Sequence, residues 1–103
     1  VSFPVESRTA PADDVALSTA YGRDSLYLAF PVHRDVSHHA YFSTIEDVMK
    51  SFGGRPHWGK VHRRGADEFT ALYPKFQDFL ALRERLDPDR VLSNSYLRKV
   101  LDE

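Results

Sequence analysis

Apolar and polar residues alternate at the start of the chain. Over 1–9, Val1, Phe3 and Val5 fall on one face, and Ser2, Pro4, Glu6 and Arg8 on the other. Strict alternation predicts a strand. Pro4 donates no ladder hydrogen bond, which makes it an edge strand or a bulge. Residues 10–15, Ala-Pro-Ala-Asp-Asp-Val, read as a turn or a helix start, and Tyr21-Gly22-Arg23-Asp24 reads as a turn. Alternation returns over 25–33. Leu26, Leu28, Phe30 and Val32 share one face there, with Tyr27, Ala29, Pro31 and His33 opposite, so a second strand is expected.

From Ser37 to Phe52 the period changes. Phe42, Ile45, Met49 and Phe52 recur at helical steps with Val48 beside them, the pattern of an amphipathic helix. Gly53-Gly54 ends it, because glycine supplies a left-handed cap. Residues 54–65 show no periodicity and read as a loop. Ala66 or Asp67 opens a short helix through Tyr73. Pro74 fits the first position of the next one, where Phe76, Phe79, Leu80 and Leu86 line one side up to Asp87-Pro88. Ser93-Asn94-Ser95 can cap a last helix carrying Tyr96, Leu97, Val100 and Leu101.

Strands first and helices afterwards argue for an α+β fold over a doubly wound parallel sheet. A two-stranded ribbon is marginal alone, so it is expected to complete a larger sheet elsewhere. The chain opens on Val1 and runs straight into strand-like sequence. That suggests the tail end of a longer protein, with a mature chain trimmed after processing as the alternative.

With 103 residues and 11.8 kDa there is material for one small core. The 14 basic and 15 acidic side chains nearly cancel, leaving a net charge of −1. A global attraction to nucleic acid or to an acidic membrane is therefore not expected. An apolar content of 42% excludes a disordered tail. Cysteine is absent, which removes disulfides, thiolate zinc sites and cysteine nucleophiles. Its absence suits a reducing compartment, so a cytoplasmic location is expected, membrane association being the alternative.

Candidate chemistry gathers in two places. Glu6 and Arg8 lie on one face of the first strand, where a carboxylate and a guanidinium side by side could hold a polyol. The plainer reading is a solvated strand face. The segment Gly53–Arg64 carries four fixed cations (Arg55, Lys60, Arg63, Arg64), the one Trp and two of the five His, with no acid. Such a loop could bind an anionic cofactor or partner, residues 54–64 then forming a stand-alone anion-binding module. Its plainer reading is a surface loop anchored by a buried Trp58. His33, His38, His39, His57 and His62 offer no convergent ligand set, so no metal site is expected. Dinucleotide, Walker and nucleophile-elbow motifs are missing.

The run Phe52-Gly53-Gly54-Arg55-Pro56-His57-Trp58-Gly59-Lys60 resembles the signature of the sugar-1,4-lactone oxidases. These are FAD flavoproteins of the vanillyl-alcohol oxidase type that include L-gulonolactone, D-arabinonolactone and alditol oxidases. Upstream, Glu6-Ser7-Arg8, Ala12-Asp13-Asp14 and Tyr21–Ser25 resemble the same family. So do Leu72-Tyr73-Pro74, Leu86-Asp87-Pro88 and Ser93–Leu97 downstream. The ordered set covers essentially the whole chain.

The resemblance implies the last stretch of a two-domain flavoprotein. Residues 1–60 would close the substrate (cap) domain, including the Gly-Gly-Arg-Pro-His-Trp-Gly-Lys loop, and 61–103 would form the helical return to the FAD domain. It implies oxidation of an aldonolactone of the L-gulono-1,4-lactone kind by hydride transfer to flavin N5, with oxygen, a redox protein or a dye as electron acceptor. Glu6, Arg8 and Lys60 would be catalytic, and His57, Lys60 and Arg8 would meet the flavin. A fixed cation there stabilises negative charge developing on the ring, and Glu6 can orient a hydroxyl or take its proton. Alditol oxidases would call for a His and a Thr on the face carrying Ala29 and Pro31; neither is present, which favours a lactone over an alditol. Most of the FAD site would lie in the N-terminal portion of the parent, so the 103 residues alone are expected to be inactive.

Overall fold

Strand pairing begins immediately after Pro4 and Val5. In the computed structural model, which describes residues 3–101, β1 (Glu6–Ala10) runs antiparallel to β2 (Ser25–Ala29). Glu6 stands opposite Ala29, and Arg8 opposite Tyr27. Both strands are shorter than the alternation predicts. Pro4 and Pro31 have no N–H to give, and the ladder stops short of each. Val1 and Ser2 lie outside the described residues.

Cross-strand partners share a face, so Glu6, Arg8, Tyr27 and Ala29 stand together. Leu26 and Leu28 project from the other face, 62% and 38% exposed. The half-buried side of β2 is therefore the Tyr27 side. The Tyr27 and Thr19 hydroxyls hydrogen-bond at 2.6 Å, which draws this face toward the connecting loop. In that loop the Asp13 carboxylate accepts from the Val15 N–H and the Ser18 hydroxyl. Residues 10–15 thus make a turn and start no helix. Gly22 turns the chain at φ 70.

Helix α1 (His39–Ser51) ends where glycine predicts. Gly53 N–H donates to Lys50 O at 3.0 Å, and Gly54 N–H to Met49 O at 2.9 Å. This pair of bonds is a Schellman cap. Gly53 holds φ 63, and a Cβ on Gly54 would sit 2.9 Å from the Met49 carbonyl oxygen. Both positions need glycine, one for its dihedral and one for space.

Helices α2 (Ala66–Leu72), α3 (Phe76–Leu86) and α4 (Ser95–Leu101) complete the α+β fold. Pro74 does not open α3. Tyr73, held extended as residues before proline are, turns through 74–75, and Phe76 N–H donates to Tyr73 O at 3.0 Å. The cap of α4 is Asn94, whose Oδ1 accepts from Leu97 N–H at 2.8 Å.

The core lies among the last three helices. Phe69, Tyr73, Phe76, Val100 and Leu101 are buried, with Trp58, Leu72, Phe79, Leu80, Tyr96 and Leu97 packed against them. Leu86 departs from the expected face: it is 70% exposed at the end of α3. Helix α1 buries no residue fully. Among the described residues, no helix is long and apolar enough to cross a membrane.

Candidate functional site

The strand geometry brings Glu6 and Arg8 together. Their side chains are 3.8 Å apart, 59% and 78% exposed, on the face they share with Ala29 and Tyr27. An ion pair this open contributes little to stability. It leaves a carboxylate that accepts and a guanidinium that donates, both reachable by a polyhydroxylated ligand.

His57 and Lys60 are brought together by a tight turn. Lys60 N–H donates to His57 O at 3.2 Å, and Gly59 N–H donates to His57 Nδ1 at 3.0 Å. Both side chains face solvent. Among the described residues, no hydrogen bond or ion pair joins this turn to Glu6 or Arg8. The four expected site residues therefore form two separate pairs, one on the ribbon and one on the loop.

Trp58, between them in sequence, points inward. Its Nε1–H donates to the Tyr73 hydroxyl at 3.0 Å, and its ring meets Phe69 edge-on at 4.6 Å. The indole packs against the core, and the turn carrying Lys60 is pinned to it.

Three of the four cations in this loop are already committed. Arg55 donates to the carbonyls of Leu72, Thr19 and Tyr21 and lies over the Tyr73 ring. Arg63 donates to Glu46 at 2.7 Å and to Asp47 at 2.8 Å. Arg64, 5% exposed, lies 3.5 Å from Glu46 and 3.4 Å from Glu68. The loop itself holds no acid; α1 and α2 supply the counter-charges. Glu46 is drawn up by burial, but the Arg63 hydrogen bonds and the charges of Arg63 and Arg64 outweigh this and hold it below the ordinary value. Of the four loop cations, only Lys60 shows neither an acid nor a carbonyl partner among the described residues. This weakens the idea of residues 54–64 as an anion-binding module and concentrates the available charge at one atom.

His62 is half-buried and held by protein partners. Its Nδ1 accepts from Arg64 N–H at 3.2 Å, and its other nitrogen lies 2.9 Å from the Tyr96 hydroxyl. An accepting Nδ1 places the proton on Nε2, which donates to Tyr96. Burial first, then the charge of Lys99, pushes the His62 pKa down. Among the described residues, no three His, Asp or Glu side chains stand close enough to share a metal ion.

Sequence reasoning missed Arg55, Glu46 and Glu68 as the groups that shape the loop. Their partners lie on other elements, and no local pattern announces such pairings.

A family model described as D-arabinono-1,4-lactone oxidase matches residues 1–100. The chain is 46% identical over 101 residues to the L-gulono-1,4-lactone dehydrogenase of Mycobacterium tuberculosis, covering 98% of this chain and 24% of that protein. It is 43% identical over 102 residues to the L-gulonolactone oxidase of Mus musculus, covering 95% and 23%. Against the alditol oxidase of a Streptomyces species the identity is 37% over 100 residues, covering 94% and 24%. The chain thus spans about a quarter of the length of the curated relatives it matches. With the match running from the ribbon through α4, the chain belongs to the D-arabinono-1,4-lactone oxidase family.

Proposed function

We propose that the protein carrying this chain is an FAD-dependent oxidoreductase acting on an aldonolactone of the L-gulono-1,4-lactone kind. This chain would supply the substrate-side ribbon and one cation of the flavin site. Residues 1–60 would belong to the cap domain, and 61–103 would return to the FAD domain. Identity is higher to the lactone enzymes than to the alditol oxidase, which supports the lactone.

One observation carries the residue assignment: Lys60 is the uncommitted cation in a loop whose other cations are held by protein. The donor set suits a ring system that gains negative charge. When bound, FAD supplies a two-electron acceptor at N5. Lys60 holds a positive charge at the end of a short, pinned turn, where it stabilises charge developing on the ring. Arg8 donates to substrate oxygens. Glu6 accepts from a substrate hydroxyl and orients it, or takes its proton as the C–H bond breaks. Ala29, opposite Glu6, puts no polar side chain directly across from that carboxylate.

The test is made on the full-length protein. Its flavin spectrum is recorded, and reduction of the bound flavin by gulonolactone and galactonolactone is followed with an artificial acceptor. Lys60→Ala is expected to slow reduction by about a hundredfold, the scale of losing one charge-stabilising group. Failure of every aldonolactone and polyol to reduce the flavin overturns the substrate reading. Unchanged reduction in Lys60→Ala removes that residue from its role.

A further inference from the structure

We propose that His57 is a positioning residue acting through Lys60, with its imidazole serving as a brace for the turn and making no contact with the cofactor. The inference rests on the reading of Lys60 as the cation that meets the flavin, and it revises the expectation that His57 meets the flavin itself.

Two contacts from His57 close the turn. Its carbonyl accepts from Lys60 N–H and its Nδ1 accepts from Gly59 N–H. Backbone and side chain of one residue thus fix the next three. The ring also occupies the space above Gly59. A Cβ at that position would lie 3.3 Å from His57 Cε1 and 3.6 Å from Nδ1. Glycine at 59 thus leaves the imidazole room beside the Gly59 amide that it accepts from; a Cβ there would crowd the ring by a few tenths of an ångström. On the other side, Trp58 is pinned to the Tyr73 hydroxyl and the Phe69 ring.

The bend is held from within by the indole and from without by the imidazole. Lys60 leaves it directly after the braced amide. A long, flexible ammonium stem gains precision only through its backbone, because no partner holds its tip. A displacement of about 1 Å in a catalytic group can cost on the order of a hundredfold, so bracing the backbone is chemically consequential.

The experiment uses the full-length flavoenzyme with His57→Ala, His57→Asn and Lys60→Ala, alone and combined. An Asn carboxamide oxygen reaches the amide two residues on, as in an Asx turn. It restores the brace without the ring. His57→Ala is expected to speed amide exchange at Gly59 and Lys60 by about fivefold to tenfold, the value of one hydrogen bond. It is also expected to lower kcat by about tenfold with KM little changed, and His57→Asn is expected to recover both. In a Lys60→Ala background, His57→Ala should cost nothing further in kcat while still speeding exchange.

Equal impairment of His57→Asn and His57→Ala would show that the imidazole itself meets a ligand, which overturns the proposal. So would unchanged amide exchange in His57→Ala. If Lys60→Ala alone leaves flavin reduction intact, the reading of Lys60 fails and the positioning role falls with it. The exchange data then still report separately whether the brace exists.

Discussion

The indole–phenol contact between Trp58 and Tyr73 offers a sharp test of how the Gly53–Arg64 loop is pinned. Tyr73 is 1% exposed, and its hydroxyl accepts from Trp58 Nε1–H at 3.0 Å. Burial raises the Tyr73 pKa, partly offset by this bond and by Arg55, so the phenol stays protonated and neutral. Tyr73→Phe leaves the indole N–H without its acceptor. Trp58→Phe leaves a buried hydroxyl without its donor and removes part of the ring that meets Phe69 at 4.6 Å. An orphaned buried polar group costs about 1–3 kcal/mol. Each single substitution should therefore speed amide exchange in α2 and α3 by roughly tenfold to a hundredfold. The double substitution removes both partners together, which is far less costly than orphaning either. It should be more stable than the sum of the singles by about 1 kcal/mol or more. The assay is hydrogen exchange by mass spectrometry on the full-length protein, read over peptides within 66–86. Strict additivity of the two singles would show that the bond contributes nothing and that Trp58 is held by packing alone.

Other consequences follow from the same contacts. Gly54→Ala forces a Cβ to 2.9 Å from the Met49 carbonyl oxygen; because the obstacle is backbone, the cap must open, costing about 1–3 kcal/mol, measurable as faster exchange at the end of α1. His62 has its pKa lowered from 6.5 in the fold, so the unfolded chain binds its proton first on acidification. Its contribution is fully present above about pH 6.5 and is lost as pH falls from there through the lower folded value. The groups around it are Tyr96, Lys99, Glu46, Arg64 and Glu68. His62→Gln should flatten that part of a thermal-stability profile, and an unchanged slope near pH 6 would refute the assignment. Glu46, whose pKa burial raises but the Arg63 hydrogen bonds and the charges of Arg63 and Arg64 likewise hold below its ordinary value, adds stability that is lost as pH falls below about 4.5.

Local pattern made much of the architecture legible. Alternation located both strands, helical spacing located α1, and Gly53-Gly54 marked its end. Asn94 lay inside the expected cap, and helical spacing marked Phe76, Phe79, Leu80, Tyr96, Leu97, Val100 and Leu101 as packed, whereas Leu86 is exposed and no spacing singled out Phe69 or Tyr73 at the centre of the core. Glu6 and Arg8 share a face because strand geometry permits nothing else. These features depend on neighbours within a few residues, where sequence and conformation are coupled directly. Where strict periodicity misled, the cause was again backbone chemistry. Pro4 and Pro31 shortened the ribbon, and the residue before Pro74 was held out of helix.

The electrostatic character of the loop was decided by tertiary structure. Sequence shows four cations and no acid between Gly53 and Arg64. The fold brings Glu46 and Asp47 from α1 and Glu68 from α2 against Arg63 and Arg64, and main-chain carbonyls against Arg55. Charge is a pairwise quantity that falls with distance, so its net effect depends on which distant elements pack together. The same holds for exposure. Leu26 and Tyr27 are adjacent in β2, yet the loop that the Tyr27 hydroxyl engages makes Tyr27 the less exposed of the two. Residue order set the elements and their faces; packing between elements decided which of the loop's cations are held by protein partners and left Lys60 without one.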